Sequence, residues 1–186
     1  MTLAELHPLI SKAWTLFLDR DGVINVEKKQ DYIRNPQEFH FYEGIPEAIA
    51  TLNQRFGRTI IVTNQRGIGK GLMSDQDLKE IHEHMCSGIH LKGGTIDHIY
   101  YAPSIENDSI LRKPNSGMAL AAQKDFPDIH FQQSVMVGNN LSDMEFGKRL
   151  GMTTVYVETT HPLPDSHELI DIKLHSLTEL AMALCD

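Results

Sequence analysis

Residues 15–22 read Thr-Leu-Phe-Leu-Asp-Arg-Asp-Gly, and this stretch decides the fold. A short apolar run ends at two carboxylates, Asp19 and Asp21, and Gly22 follows directly. The run is brief, apolar and bounded by a turn signal, which indicates a buried strand. Open α/β sheets bind their ligands at the carboxyl ends of their strands. The stretch therefore predicts a strand whose end carries chemistry, with a solvated Asp-rich turn as the alternative.

The spacing of the two acids adds a constraint. If the chain is still extended at this point, the side chains of Asp19 and Asp21 lie on the same side of the strand. Two like charges so close together are costly unless a cation or a shared proton relieves them. The rest of the chain has to supply that partner.

Length and composition are those of an ordinary globular protein. The chain has 186 residues, of which 41% are hydrophobic and 23% charged, so we expect a single domain over residues 1–186. No apolar run approaches the roughly 20 residues of a membrane span. The first residues lack the basic start and apolar core of a signal peptide. We therefore expect a cytoplasmic protein that does not bind membranes.

Charge and cysteine content argue against two further classes. The formal net charge is −8, whereas nucleic-acid binders carry basic surfaces, so no nucleic-acid partner is expected. The two cysteines, Cys86 and Cys185, stand far apart without metal-ligand spacing. This pattern indicates reduced thiols.

Outward from the first strand, apolar runs and helix periods alternate along the chain. Residues 1–13 are predicted to form an amphipathic helix on the sheet edge, and residues 22–36 a charged flap loop over the strand end. Further strands are predicted over residues 59–62, 96–101, 134–137 and 153–157 and near 172, and helices over 46–52, 74–89, 117–126, 142–150 (capped by Ser142) and from 178 onward. This order predicts an α/β fold with a Rossmann-like, doubly wound and mostly parallel sheet.

The polar side chains that follow these strands converge on one edge of a parallel sheet. They are Asp19 and Asp21 after the first strand, Thr63 and Asn64 after the second, Arg112 and Lys113 after the third, and Asn139, Asn140 and Asp143 after the fourth. One carboxylate can attack phosphorus to form an acyl phosphate, and a second can protonate the leaving oxygen and later activate water. A hydroxyl, an amide and a lysine can hold phosphoryl oxygens, and oxygen ligands favour Mg²⁺. The set predicts phosphoryl transfer.

Four motifs made of these residues resemble those of the haloacid dehalogenase phosphatase superfamily. They are Asp-Arg-Asp-Gly at 19–22, Thr-Asn-Gln at 63–65, Arg-Lys-Pro at 112–114, and Gly138 with Asp143. Residues 17–25, 62–68, 99–101 and 112–118 are more closely similar to heptose-bisphosphate and histidinol-phosphate phosphatases. The resemblance runs from Trp14 to the C-terminus and implies a haloacid-dehalogenase-like fold with a minimal cap.

The resemblance also implies a role for each motif. Asp19 would be the nucleophile and a metal ligand, and Asp21 the general acid and base, with its main-chain carbonyl on Mg²⁺. Substrate binding would fall to Thr63, Asn64, Gln65, Arg66, Arg112, Lys113 and Asn140, and metal binding to Asp19, Asp21, Asn139 and Asp143. Arg112 would contact the sugar or a second phosphate, and the flap of residues 22–36 would close over the substrate.

The chain departs from the family in three places. Asn139 stands where relatives commonly have an Asp that binds the metal, so one negative charge is missing, which Asp143 offsets in part. Asn140 stands where a lysine is usual, and whether Arg66 restores that cation is left open. Many relatives carry a Cys/His zinc site before Arg-Lys-Pro, but residues 102–111 contain neither residue type, so no zinc is predicted.

The resemblance therefore implies a Mg²⁺-dependent phosphatase of a small-molecule sugar phosphate, foremost D-glycero-D-manno-heptose 1,7-bisphosphate. We expect a monomer, which the exposed active edge permits. A histidinol-phosphate phosphatase is the alternative enzyme, since it shares the motifs. The alternative of another class is a weakly catalytic sugar-phosphate-binding protein that lost metal affinity with Asn139. The paired histidines, His82 and His84, lie two apart on a predicted helix and face different sides, so no metal pair is expected there.

Overall fold

Six strands and seven helices make up the fold in a computed structural model, which describes residues 2–162 and 168–185. The strands are β1 (Thr15–Leu18), β2 (Arg58–Asn64), β3 (His98–Ala102), β4 (Ser134–Gly138), β5 (Thr153–Val157) and β6 (Ile172–Leu174). The helices are α1 (Leu3–Leu6), α2 (Ile45–Arg55), α3 (Arg66–Gly69), α4 (Asp75–His90), α5 (Gly117–Asp125), α6 (Leu141–Leu150) and α7 (Leu177–Cys185).

The strands form one sheet in the order β3-β2-β1-β4-β5-β6, and every neighbouring pair is parallel. After β1 the chain adds β2 and β3 on one side of β1. It then returns to add β4, β5 and β6 on the other side. The order therefore reverses between β1 and β4, which is the crevice where doubly wound sheets bind ligands. The predicted Rossmann-like sheet is confirmed, and it is parallel throughout the described strands.

The opening apolar run occupies the centre of the sheet. All four residues of β1 are buried, since Leu16 and Leu18 belong to the hydrophobic cluster on one face of the sheet and Phe17 to the cluster on the other. A strand buried on both faces has no polar side to show, which explains why the run is continuous rather than alternating. This double burial fixes where β1 ends and hence where Asp19 lies.

The N-terminal helix is shorter than the sequence pattern predicted. Of residues 1–13, only α1 is helical, because Pro8 cannot donate the backbone hydrogen bond that a longer helix needs. The segment does not bond to either edge strand, β3 or β6, in the described residues. Instead Lys12 Nζ donates hydrogen bonds to the carbonyls of Asn53 (2.5 Å) and Phe56 (3.1 Å) at the end of α2.

The start of α6 also differs from prediction. Asn140, not Ser142, is the cap: Asn140 Oδ1 accepts a hydrogen bond from the Ser142 backbone N (3.1 Å), and Asp143 Oδ2 accepts one from the Asn140 backbone N (3.0 Å). A reciprocal pair of this kind satisfies two free N–H groups at a helix start. By contrast, the Ser74–Asp77 capping box predicted for α4 is confirmed.

Residues 22–36 contain neither strand nor α-helix, as expected of a flap loop. The loop is tied at its base, where the Val26 backbone N donates to the His40 carbonyl (2.8 Å), and Lys28 pairs with Glu38 (2.8 Å). Closure of this flap over a substrate, and the single-domain organisation of residues 1–186, stay predictions. Within the two described ranges, no helix combines the length and apolar character needed to cross a bilayer.

Candidate active site

A cavity of about 420 Å³ opens at the carboxyl ends of β1, β2 and β4. Every site residue predicted from the sequence lines it: Asp19, Asp21, Thr63, Asn64, Gln65, Arg66, Arg112, Lys113, Asn139, Asn140 and Asp143. Further lining residues, which sequence reasoning did not select, include Asn107, Ser142 and His161. The flap contributes Glu27, Lys28, Asp31 and Tyr32. The predicted set is thus brought together, while the role of each member stays a prediction.

Lys113 lies at the centre of the cavity floor. Its Nζ is 2.9 Å from Asp19 Oδ1 and 2.7 Å from Asp143 Oδ1, and it donates to the Val62 carbonyl at 2.7 Å. Burial by itself would lower the pKa of Lys113, but the carboxylates of Asp143 and Asp19 outweigh it and raise the pKa. Lys113 is therefore a charged ammonium whose three donors are all used.

Asp19 sits directly after β1, 14% exposed, with the Arg20 backbone N donating to its Oδ1 (2.8 Å). Burial raises the pKa of Asp19 to about 7, and the nearby Asp143 and Asp21 also raise it, against the lowering effect of Lys113. An unliganded site of this kind disfavours negative charge on Asp19. A further cation at this place would stabilise the carboxylate.

Asp21 has a separate cationic partner. Arg20 Nη2 donates to both carboxylate oxygens of Asp21 at 2.8 Å, while Asn25 Nδ2 (3.0 Å) and Gln65 Nε2 (2.9 Å) add one hydrogen bond each. Burial would raise the pKa of Asp21, but Arg20, Asn25 and Gln65 together lower it. The repulsion expected between the two acids is thus relieved by two different cations, Lys113 and Arg20.

Arg20 is itself fully buried and is held from the opposite side by α4. Its Nη1 lies 3.3 Å from Nε2 of His82, whose relative exposure is 9%. Burial and the Arg20 charge lower the pKa of His82 to about 3, so the ring is neutral and accepts the hydrogen bond. Sequence reasoning missed this contact because the two residues are 62 positions apart and neither carries a motif that names the other.

We expect His82 to make stability depend on pH. In the unfolded chain His82 binds a proton near pH 6.5, but in the folded chain only near pH 3. Between these values the unfolded state binds more protons, so the stability that the neutral ring contributes is complete above pH 6.5 and is lost as pH falls toward 3. Urea unfolding of His82→Gln should show a smaller loss between pH 7.5 and 4.5 than the unsubstituted protein.

The exposed neighbour on the same helix provides the control for this measurement. His84→Gln should leave the pH dependence of the free energy of unfolding as it is in the unsubstituted protein. Parallel pH curves for the His82 variant and the unsubstituted protein would contradict the assignment of His82 as a neutral partner of Arg20. The groups that face the ring are Arg20, Asp21 and Tyr101, whose ring centroid is 6.5 Å away.

The end of β2 supplies three polar side chains. Thr63 Oγ1 accepts a hydrogen bond from Gln65 Nε2 (2.8 Å), the same group that holds Asp21. Asn64 clasps the backbone of Lys113, since its Oδ1 accepts from the Lys113 N (3.0 Å) and its Nδ2 donates to the Lys113 carbonyl (3.3 Å). In this geometry the Asn64 side chain positions the loop that carries Lys113.

Asp143 holds Lys113 in place. Its Oδ1 pairs with Lys113, and its Oδ2 accepts a hydrogen bond from the Asn140 backbone N. Asn140 is likewise engaged in capping α6. Asp143 therefore positions Lys113, and its role as a metal ligand that partly offsets the charge missing at Asn139 stays a prediction.

The donor set that remains suits a hard cation but is poor in charge. Within the described residues, no group of three or more His, Cys, Asp or Glu side chains is arranged to hold a metal ion. Apart from Asp143, the oxygens that the resemblance assigns to the metal are the Asp19 carboxylate, the main-chain carbonyl of Asp21 and the Asn139 amide oxygen. All-oxygen ligation fits Mg²⁺.

A second feature is a pair of guanidinium groups at the cavity wall. Arg66 Nη2 donates to Asn107 Oδ1, and neither Arg66 nor Arg112 pairs with a carboxylate in the part of the chain that the structure describes. Arg66 Nε and Arg112 Nη1 are buried without a hydrogen-bond partner there. Burial lowers the pKa of Arg112, and the charge of Arg66 lowers it further. Both residues line the cavity, so their guanidinium groups offer it a cationic wall that suits an anion.

The sequence also matches a known family of phosphatases. The model of the polynucleotide kinase 3 phosphatase family matches residues 15–174, from β1 to β6. The chain belongs to the haloacid dehalogenase phosphatase superfamily.

Several phosphatases of the superfamily are similar to this chain over most of their length. D-glycero-beta-D-manno-heptose-1,7-bisphosphate 7-phosphatase of Vibrio cholerae is 35% identical over 175 residues, which cover 89% of this chain and 92% of that protein. D-glycero-alpha-D-manno-heptose-1,7-bisphosphate 7-phosphatase of Campylobacter jejuni is 37% identical over 144 residues, or 77% and 81% of the two chains. The relatives thus include enzymes named for either anomer.

Solved structures of the superfamily share the fold. The D,D-heptose 1,7-bisphosphate phosphatase from B. bronchiseptica, complexed with magnesium and phosphate, superposes with a TM-score of 0.80 at 26% identity and covers 92% of this chain and 97% of that one. A haloacid-dehalogenase-like protein from Mesorhizobium loti gives 0.78 at 28% identity, with 94% and 87% covered. The predicted haloacid-dehalogenase-like fold is confirmed.

Proposed function

We propose that the chain is a Mg²⁺-dependent phosphatase that hydrolyses a heptose 1,7-bisphosphate through an aspartyl-phosphate on Asp19. The observation that carries the proposal is the arrangement at the end of β1. Asp19 lies 2.9 Å from the buried ammonium of Lys113. A second acid, Asp21, follows two residues later and pairs with a different cation, Arg20. The names of the relatives support the substrate. Cytoplasmic location and a monomeric state stay predictions.

In the first step, an oxygen of Asp19 attacks phosphorus, and the bond from phosphorus to the sugar oxygen breaks. Asp21 gives its proton to that leaving oxygen. An arriving phosphate favours the protonated form of Asp21, because it disfavours a second negative charge nearby. Lys113 stabilises the charge on the transferring oxygens. The products of this step are the free sugar hydroxyl and the aspartyl-phosphate.

In the second step, Asp21 takes a proton from water, and the water oxygen attacks phosphorus. The bond between Asp19 and phosphorus breaks, which releases inorganic phosphate and regenerates the Asp19 carboxylate, while Asp21 is left protonated for the next cycle. The hydrogen bonds from Arg20, Asn25 and Gln65 favour the ionised form of Asp21, which is the form this step needs.

Magnesium would be held by Asp19, the main-chain carbonyl of Asp21 and Asn139. The neighbouring structure with magnesium and phosphate supports this choice of cation. When bound, the ion offsets negative charge at the reacting phosphoryl group. In this arrangement Asp143 serves to hold Lys113.

A screen of phosphate release tests the proposal. We expect release from heptose 1,7-bisphosphate, tested as both anomers, with a specificity constant well above that for histidinol phosphate, and loss of activity on chelation of Mg²⁺. A preference for histidinol phosphate would assign the alternative enzyme. Binding of the sugar phosphate without turnover at saturating Mg²⁺ would assign the weakly catalytic binding protein.

The two arginines give a prediction about specificity. A bisphosphate has a second anion for the guanidinium groups of Arg66 and Arg112 at the cavity wall, whereas a monophosphate lacks it. We expect Arg66→Ser to raise KM for the bisphosphate by about tenfold, the loss of one charge-assisted hydrogen bond, with little change in kcat. KM for a heptose monophosphate should change far less.

A matched substitution at the opposite end of the sheet controls for net charge. Arg58 lies at the start of β2 and pairs with Asp128 (2.8 Å), so Arg58→Ser removes one cation away from the cavity. It should leave both KM values unchanged. Equal increases in KM for bisphosphate and monophosphate in the Arg66 variant would contradict a second-phosphate site at this pair.

A further inference from the structure

The side-chain amide of Asn139 is held in one orientation. Its Nδ2 donates to Thr160 Oγ1 at 2.7 Å and to Glu27 Oε2 at 3.3 Å, so both N–H groups have acceptors. Its Oδ1 accepts no hydrogen bond from the described residues. Asn139 is 2% exposed and lines the cavity. The oxygen is therefore the one polar atom of this side chain that is left for a ligand.

The turn at Gly22 packs closely against the Asn139 amide. A Cβ added at Gly22 would lie 1.9 Å from Asn139 Nδ2 and 2.8 Å from Thr160 Oγ1. Gly22 also has φ +82°, a backbone conformation that favours glycine. Thr159 Oγ1 donates to the Gly22 carbonyl, which ties the end of β5 to the turn after β1. Thr160 is thus brought to Asn139 by a fixed segment.

We propose that Glu27 and Thr160 are positioning residues that turn the Asn139 oxygen toward the catalytic cation, and that Glu27 supplies from the flap the negative charge that position 139 lacks. The choice of Mg²⁺ rests on the proposed function. Hydrogen bonds to the far side of a metal ligand fix its orientation and raise its donor strength. A carboxylate acceptor does this for an amide that is itself neutral.

Glu27 is matched to Asn and not to Asp at position 139. An aspartate at position 139 would have no N–H to donate to Glu27. It would instead place a second negative charge next to Glu27 Oε2. Two carboxylates that close repel each other. The positioning effect of Glu27 on cation binding should therefore be present with Asn at position 139 and lost with Asp there.

Cation binding by the unsubstituted protein, two single variants at positions 27 and 139 and their double variant tests this dependence without any substrate. Mn²⁺, a paramagnetic stand-in for Mg²⁺, is titrated and followed by electron paramagnetic resonance. Glu27→Gln should weaken Mn²⁺ binding by about tenfold in the unsubstituted background. In the Asn139→Asp background the same substitution should have a much smaller effect, because an aspartate has no N–H for Glu27 to orient. Thr160→Val should weaken binding in the unsubstituted background by a smaller factor.

Glu106→Gln is the control, since it removes the same charge from an exposed residue that contacts neither Asn139 nor Glu27. It should leave Mn²⁺ binding unchanged, and thermal midpoints should show that each variant is folded. An equal effect of Glu27→Gln in both backgrounds, or none, would overturn the proposal. If the two backgrounds differ as expected but no phosphate is released from any sugar phosphate, the proposed function fails and the positioning role stands.

Discussion

Replacement of Asp19 by Asn is expected to abolish phosphate release from every phosphate ester, with kcat lower by about 10⁴-fold or more. An amide nitrogen or oxygen cannot form the aspartyl-phosphate, and no other described carboxylate lies 2.9 Å from Lys113 with a free path to the cavity: Asp143, the other partner of Lys113, has both oxygens engaged. Because Asn and Asp have the same shape, the fold should survive. Phosphate release at saturating substrate is the measurement.

Two further observations make this result specific. Asp108→Asn, at an exposed position, should keep full activity. Acid-quenched samples of the unsubstituted protein should carry phosphate that hydroxylamine removes, as an acyl phosphate does, and the Asp19 variant should carry none. Retained turnover in the Asp19 variant would exclude the covalent route, whatever the substrate.

Lys113→Met is expected to have the second-largest effect, on stability as well as on activity. It would leave the carboxylate of Asp143, 1% exposed, without its cation, and removing one partner of a buried ion pair costs about 3–5 kcal/mol. It would also remove the charge that stabilises the transferring phosphoryl group. Urea unfolding measures the first effect, and phosphate release the second.

The double variant Lys113→Met/Asp143→Asn separates the two effects. With the buried charge of Asp143 gone, much of the lost free energy of unfolding should return. Activity should not return, because the cation beside Asp19 is still missing. A double variant that regains turnover, or a single variant as stable as the unsubstituted protein, would show that Lys113 does not hold the site together as the distances indicate.

The sequence predicted the sheet and the membership of the site well, because both follow from strong local signals. Apolar runs that end in polar residues, from Leu18–Asp19 to Gly138–Asn139, mark strand ends, and parallel strands bring these ends to one edge. The resemblance of four motifs then predicted their chemistry. All eleven site residues lie in one cavity for this reason.

What escaped prediction depends on contacts between distant parts of the chain. The Arg20–His82 and Glu27–Asn139 contacts join residues 62 and 112 positions apart, and no local pattern encodes either. Competing local signals caused the other differences. Periodicity extended the first helix past Pro8. Ser142 was predicted to cap α6, but Asn140, a residue type that is also preferred at this position, is the cap.

The buried Arg20 couples the evolution of the core to that of the reaction. In many proteins a buried charge can be exchanged for an apolar side chain of similar volume with no loss, or even a gain, in stability. Such an exchange at Arg20 would be harmful here, since Asp21 would lose the cation that contacts both of its carboxylate oxygens. Substitutions that stabilise the protein must therefore be found elsewhere in the chain. The residue at position 82 of α4 is restricted as well, because His82 contacts the arginine that holds Asp21.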